Sequence, residues 1–304
     1  MDLYKRKIGL PKILAVLGPT SSGKSDLAVL LALKFDGEII SADSRQVYRG
    51  LDIATGKITE EEMHGVPHHL LDVSDPKERY DVSHFKRDAE KVIDDILARG
   101  KLPIICGGTM QYINAVTENY LTPETLPDEK LREELAKKSN EELFAELEKL
   151  DPRRAEKIDR NNPRRLVRAI EIVRSQGAVP EIPNIPKKYD TLKIGITTDK
   201  EILRTRIQER VEKRLKLGMV EEAKKLHTDG LSFGRMRELG LEYRYLADYL
   251  EEKISEEKLK EEICFKDWQY AKRQMTWMKR DVNIQWFSLE KTNGIISLVE
   301  NFLK

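Results

Sequence analysis

The chain has very little cysteine. Cys106 and Cys264 are the only two in 304 residues, they lie far apart, and neither belongs to a C-x-x-C pair. That excludes a disulfide framework and a cysteine-based zinc cluster, and it fits a reducing cytosol. Long apolar runs are missing too. No stretch approaches the ~20 residues of a membrane-spanning helix, and the amino-terminal MDLYKRKIGLPK has basic residues without the apolar segment of a secretion signal. A cytoplasmic protein with no membrane association is expected. Excess charge of either sign is lacking, since 54 Lys and Arg face 53 Asp and Glu for a net +1, so any nucleic-acid surface has to be a local patch. Internal repeats and low-complexity tracts are absent. What remains is a chain with 35% charged and 39% hydrophobic residues, which reads as helix-rich and soluble and is long enough for two compact units.

The most informative stretch runs from Ile13 to Leu33. Ile13–Leu17 is a short apolar run and reads as a buried strand. Gly18-Pro19-Thr20-Ser21-Ser22-Gly23-Lys24-Ser25 follows and fits G-x-x-x-x-G-K-[ST] without a mismatch. Asp26–Phe35, rich in Leu and Ala, then reads as a buried helix. Strand, glycine loop and helix in this order are the context a phosphate-binding loop requires. The glycines let the backbone turn tightly, and the helix start supplies unpaired N–H donors with a partial positive charge. Lys24 adds a full charge at the distal phosphates, and the Ser25 hydroxyl is placed to ligate Mg²⁺. Kinases, NTPases and some transferases share such a loop, so it does not name the reaction.

Further along, the apolar run ending at Ser41 is followed by Ala42-Asp43-Ser44-Arg45-Gln46. A carboxylate just past a strand's C-terminal end lies where α/β sheets place ligands. Asp43 there can accept a proton from a nucleophile or hold Mg²⁺ through water; the alternative is a cap for the next helix. His64, His68 and His69 lack the spacing of a metal site, and a loop packing near the pocket is the better reading. Phe85–Arg99 has the apolar spacing of an amphipathic helix, and Leu102–Cys106 reads as another buried strand. Gly107-Gly108-Thr109 then offers a close backbone approach and a hydroxyl, or a simple tight turn.

Composition shifts beyond Tyr120. Glu118–Leu150 holds ten acidic and five basic residues, in two helical stretches, and Arg153–Arg174 reverses to eight basic and three acidic. Arg164, Arg165 and Arg168 follow Pro163, a favoured first-turn residue, and share a helix face. Such a stripe suits phosphate contacts along RNA; equally it suits a solvated face paired to local Glu. Three prolines between Gln176 and Tyr189 mark an extended return. Residues 118–188 thus read as an inserted helical lobe, with the core formed by 1–117 and 189–304. Past the strand Thr191–Thr197, Asp199 caps a long helix on which Arg206, Arg210 and Arg214 line one face. That geometry can hold a diphosphate or pair with Glu209 and Glu212. Val220–His227 reads as a helix and Arg235–Tyr243 as a Gly-containing polar loop. Phe265–Arg280 interleaves basic residues with Trp268, Tyr270 and Trp277, either to bind nucleic acid or as core.

Taken together, GPTSSGKS, SADSRQVYRGLDIATGK, GVPHHLLD, GGTMQYI, LDPRRAEKIDRNNPRRLVRAIEIV, RIQERV and YAKRQMTWMKR resemble the tRNA dimethylallyltransferase (tRNA isopentenyltransferase) family of bacterial type. The resemblance runs from about Ile13 to Trp286, in the family's order. It implies an α/β fold, with a P-loop NTPase-like parallel-sheet core, an inserted all-helical lobe and a helical C-terminal region. It also implies transfer of a dimethylallyl group from dimethylallyl diphosphate to N6 of an adenosine adjacent to the tRNA anticodon, with Mg²⁺ as cofactor. In that resemblance Gly18–Ser25 and Arg210 hold the diphosphate, Ser25 contacts the metal, and Thr20, Lys24, Asp43 and Arg210 are catalytic. Asp43, Ser44, Arg45, Gln46, Thr109, Arg164, Arg165, Leu166, Val167, Arg168 and the run Arg237-Glu238-Leu239-Gly240-Leu241-Glu242 match stretches that contact the anticodon stem-loop. Where many family members carry Gly-Tyr-Lys-Glu, this chain has Gly240-Leu241-Glu242-Tyr243. The absence of a zinc-finger extension after Lys304 suits the bacterial type, and a monomer is expected. Two other readings compete: a small-molecule enzyme (an adenylate isopentenyltransferase or phosphate-loop kinase), and an RNA-binding module with a vestigial phosphate loop.

Overall fold

The computed structural model describes residues 9–120, 128–180 and 185–304. Its contacts divide the chain into two compact units, Tyr120–Ile185 and the remainder.

The larger unit is built on one parallel sheet. Its strands are β1 (Lys12–Leu17), β2 (Gly37–Ala42), β3 (His68–His69), β4 (Leu102–Gly107), β5 (Asp190–Ile196) and β6 (Ile284–Phe287), in the order β3-β2-β4-β1-β5-β6. β1 and β4 are buried almost throughout, as expected of parallel strands covered by helices on both faces. One face packs Phe85, Ala89, Ile93 and Ile96 of the Val82–Ala98 helix together with Ile113 and Met278. The other packs Leu27, Leu31 and Ala32 of the Lys24–Lys34 helix with Ile295 and Val299. Register fixes the functional end. Leu17 of β1 and Ala42 of β2 both pair with Gly107 of β4. The next residues of the three strands, Gly18, Asp43 and Gly108, therefore leave the sheet side by side, at the carboxyl edge where α/β sheets bind ligands.

β3 and β6 are too short to announce themselves as strands, and each joins an edge of the sheet. One reading of the sequence is corrected. Arg235–Tyr243 is not a polar loop: the chain forms two helices, Phe233–Leu239 and Leu241–Leu250, that meet at Gly240. Met236, Leu239, Tyr243, Leu246 and Ala247 recur every three or four residues and bury in a core with Val47, Tyr48 and Leu51. The polar residues between them conceal that spacing.

The smaller unit is all helical, with helices Glu129–Leu135, Asn140–Leu150, Pro152–Lys157 and Pro163–Gln176. Side chains of Asp128, Ser139, Asp151 and Asn162 cap the four helix starts, and Gly177 closes the last helix in the left-handed conformation. Leu135, Leu143, Leu147, Leu166 and Ile170 form its core. Beside that core lies Glu171, almost fully buried. It accepts from Arg132 Nε at 2.6 Å and from Arg168 Nη1 at 3.2 Å. Burial alone would raise its pKa, but these guanidinium partners hold it below the usual carboxylate range.

Candidate active site

A cavity of about 620 Å³ opens at the carboxyl ends of β1 and β2. Its floor is the phosphate loop. Gly23, at φ 82°, caps the Lys24–Lys34 helix and offers no side-chain acceptor, so the first-turn N–H groups of that helix are free to meet an anion. A Cβ at Gly23 would come within 2.6 Å of the Leu289 side chain, which packs against the loop from the far end of the sequence. Ser21 sits at φ 61°, a conformation that costs a non-glycine residue ~1 kcal/mol or more and tends to persist at functional sites. The hydroxyls of Ser21 and Ser22 are buried without a hydrogen-bond partner.

The cations around this loop lack carboxylate partners. Lys24 is half-buried, and its Nζ reaches only the Pro19 carbonyl, at 3.3 Å. Burial holds its pKa below the ordinary lysine value. Arg210, from the Lys200–Lys216 helix, donates from Nη1 to Thr20 Oγ1 at 2.9 Å and from Nη2 to the Gly56 carbonyl at 3.2 Å. Burial first, and then neighbouring Arg214, push the Arg210 pKa down to about 10. Among the described residues neither Lys24 nor Arg210 has a carboxylate within ion-pair distance. Half-buried cations without counter-ions are the kind of site at which a ligand supplies the negative charge. Arg206 and Lys213, from the same helix, also line the cavity.

Asp43, also at the cavity, accepts at Oδ1 from the backbone N–H groups of Arg45, at 2.8 Å, and Gln46, at 3.4 Å. This short turn fixes the carboxylate and leaves Oδ2 without a hydrogen bond among the described residues. Ser44 N–H donates to Thr109 Oγ1 at 3.2 Å. Tyr270 lies alongside, its hydroxyl raised to about 12 by burial and by the Asp43 charge. Cys106 is also buried beneath the cavity, and burial pushes its thiol up to about 11, which removes it as a nucleophile.

Thr20 to Ser25, Asp43, Arg45, Gln46, Arg210, Leu241 and Glu242 all line the cavity, whereas Gly18, Pro19, Ser44, Thr109 and the Arg237–Gly240 run do not. Arg237 is paired with Asp248 at 2.7 Å and with Glu251. Glu238 takes ion pairs from Arg235 and Arg79, at 3.0 and 3.4 Å. Leu239 is a core residue. In the helical unit Arg164 and Arg165 are exposed, Val167 is half-buried, Arg168 holds Glu171, and Leu166 is buried, so its side chain faces the core and not solvent. His68 lines the cavity, whereas His69 bonds Glu38 at 2.7 Å. No group of three or more His, Cys, Asp or Glu among the described residues could hold a metal, and none of the described helices is long and apolar enough to cross a membrane.

Among the cavity residues that sequence reasoning missed as site members are Asp267 and Gln274, from the Glu256–Met278 helix, which also brings Tyr270 to the cavity. A signal was available. Leu259, Ile263, Asp267, Ala271, Gln274 and Met278 form one buried stripe, and an Asp and a Gln at core positions of a helix stand out against their apolar neighbours. Burial, with the nearby Glu242 charge, raises the Asp267 carboxyl well above its ordinary value.

A parallel sheet with a glycine loop after its first strand, and with Lys24, Arg210 and Asp43 lining one cavity at its carboxyl edge, defines an α/β protein with a phosphate-loop core. A sequence model of the family described as IPP transferase matches residues 46–281, and the chain belongs to that family. It is 39% identical to the tRNA dimethylallyltransferase of Halalkalibacterium halodurans, over 91% of both chains. It is 41% identical to that of an Exiguobacterium species, over 94% of this chain and 93% of the relative. Among solved structures it is similar to the full-length tRNA isopentenylpyrophosphate transferase of Bacillus halodurans, with TM-score 0.70, 36% identity, and 95% of this chain and 96% of that one covered. It is also similar to a eukaryotic dimethylallyltransferase described as acting on tRNA, with TM-score 0.79, 29% identity, and 91% and 74% covered.

Proposed function

We propose that this prenyltransferase moves a dimethylallyl group from dimethylallyl diphosphate to N6 of an adenosine adjacent to the anticodon in tRNA and releases diphosphate. The observation that carries the reading is a pair of half-buried cations without carboxylate partners, Lys24 and Arg210, at the glycine loop and the uncapped start of the Lys24–Lys34 helix. These groups match a departing diphosphate: they neutralise charge that grows as the C–O bond breaks. N6 attacks the terminal carbon of the prenyl group, the C–O bonding pair leaves on the diphosphate, and the N6 proton passes to the Asp43 carboxylate. An exocyclic amine is a weak nucleophile, so alignment in the cavity has to supply much of the rate. Because a stacked base cannot reach a cavity at the sheet edge, the adenosine leaves the anticodon stack.

The residues present fit a magnesium ion carried in by the diphosphate. The Ser25 hydroxyl, the orphaned Ser21 and Ser22 hydroxyls and the carboxylates of Asp26 and Asp43 are all oxygen donors at the same cavity. They are too few for an all-protein cage, which is how Mg²⁺ is usually held beside phosphates. When bound, the ion would neutralise part of the diphosphate charge.

Arg45, Gln46, Leu241 and Glu242 at the cavity, with exposed Arg164 and Arg165 on the inserted lobe, are proposed to face the anticodon stem-loop. A monomer working in the cytoplasm is part of this proposal.

The test is incubation with radiolabelled dimethylallyl diphosphate and either unmodified tRNA, AMP or no acceptor. Label in tRNA is the expected result. Label in AMP and never in RNA would instead identify a free-nucleotide enzyme, and tRNA binding without transfer an RNA-binding module.

A further inference from the structure

Gln274 uses both ends of its amide. Oε1 accepts from the backbone N–H of Thr20 at 2.9 Å, and Nε2 donates to the Gly108 carbonyl at 3.1 Å. Thr20 is the phosphate-loop residue whose hydroxyl takes the Arg210 bond. Gly108 precedes Thr109, whose hydroxyl accepts from Ser44 beside Asp43. One buried side chain therefore ties the phosphate loop to the turn beside Asp43. Its partners have opposite polarity, so a carboxylate, an ammonium or an apolar isostere each fails at least one of them.

We propose that Gln274 is the positioning residue that sets Thr20, and through it Arg210, against the diphosphate, and that residue 108 is glycine because this clamp occupies its side-chain space. A Cβ at Gly108 would lie 2.0 Å from Gln274 Nε2 and 3.2 Å from its Cδ, whereas the nearest atom of any other residue, the Gly18 carbonyl oxygen, is 3.4 Å away. The role of Gly108 is thus conditional on Gln274. The clamp also takes the Thr20 N–H out of anion binding. Ser22 N–H is engaged by the Pro19 carbonyl at 3.3 Å, which leaves the Ser21 and Gly23 amides and those of the helix start as the backbone donors.

This inference rests on the diphosphate reading above, and two separate readouts test it. Inorganic pyrophosphate binding by calorimetry needs no turnover, and steady-state prenylation of tRNA gives separate KM values for donor and acceptor. Gln274→Met and Gln274→Glu should each weaken pyrophosphate and raise the donor KM by about tenfold or more, with kcat down about 10- to 100-fold and the tRNA KM unchanged. Gly108→Ala should do the same. The decisive comparison is Gly108→Ala with Gln274→Ala, which should be no worse than Gln274→Ala alone, because truncation opens the space the new methyl needs. Wild-type pyrophosphate affinity in Gln274→Met, a tRNA KM that rises in step with the donor KM, or fully additive losses in the double variant would each overturn the proposal. If wild type binds pyrophosphate but prenylates nothing, the reaction assignment falls while the binding comparison still tests the clamp.

Discussion

Arg214 donates to Glu242 at 3.0 Å, with both side chains less than one-tenth exposed. Arg214 also reaches the carbonyls of Ala54, at 2.8 Å, and Thr55, at 3.4 Å. The pair thus joins the Lys200–Lys216 helix to the Leu241–Leu250 helix and to the segment after β2. Removing one member of a buried pair strands the other charge and costs about 3–5 kcal/mol. Glu242→Ala should lower unfolding stability by about 3 kcal/mol, the lower end because the two carbonyls remain. Urea unfolding would check this, and Glu242→Gln should lose less.

Asp43 has one oxygen engaged in its turn and one without a partner. Asp43→Asn preserves the acceptor that shapes the turn and removes the charge. Turnover should fall about 10²–10⁴-fold, the usual share of a general base, while tRNA affinity is retained. Single-turnover rates beside filter binding separate the two effects, and near-normal turnover would contradict the role.

Arg164 and Arg165 are exposed on the lobe and form no ion pair among the described residues, unlike Arg168, which is committed to Glu171. The double variant Arg164→Ala with Arg165→Ala should weaken tRNA binding and reduce the slope of log K against log salt by about 1 for each phosphate that is no longer neutralised. A salt titration decides it, and an unchanged slope would leave these arginines without a role in RNA binding.

Glu38 is buried in β2 and accepts from both terminal nitrogens of Arg99, from His69 at 2.7 Å, and lies 3.4 Å from Lys101. The Arg99 bonds, ahead of the other partners, pull its pKa from 4.5 to about 2. The folded carboxyl is more acidic than the unfolded one. Its stabilisation is therefore complete above about pH 4.5 and is lost as pH falls through about 2. Melting temperature measured across this window should drop in the wild type, and the drop should be shallower in Glu38→Gln.

Where a short stretch folds locally, its residues announce it. Ile13–Leu33 shows strand, turn, helix and charge in succession, and the helices between Tyr120 and Ile185 carry their own caps. Other features were hidden for physical reasons. β3 has two residues and β6 four, too few for a period to show, and each owes its existence to a neighbouring strand. The Phe233–Leu250 helices were masked because their surfaces carry Arg and Glu between the buried positions. Gln274 falls within a family signature, yet its partners lie 166 and 254 residues away. No spacing along the chain encodes that meeting.

The packing of Leu289 beneath Gly23 has a bearing on how the protein is made. Chains tend to fold from the amino terminus as they emerge from the ribosome. Here the glycine loop, made early, waits for residues made almost last, because the support under Gly23 and the amide that grips Thr20 come from residues 274 to 289. On the proposed diphosphate reading, a nascent chain gains its grip only when synthesis is almost complete, and a shortened translation product is expected to be inert rather than partly active.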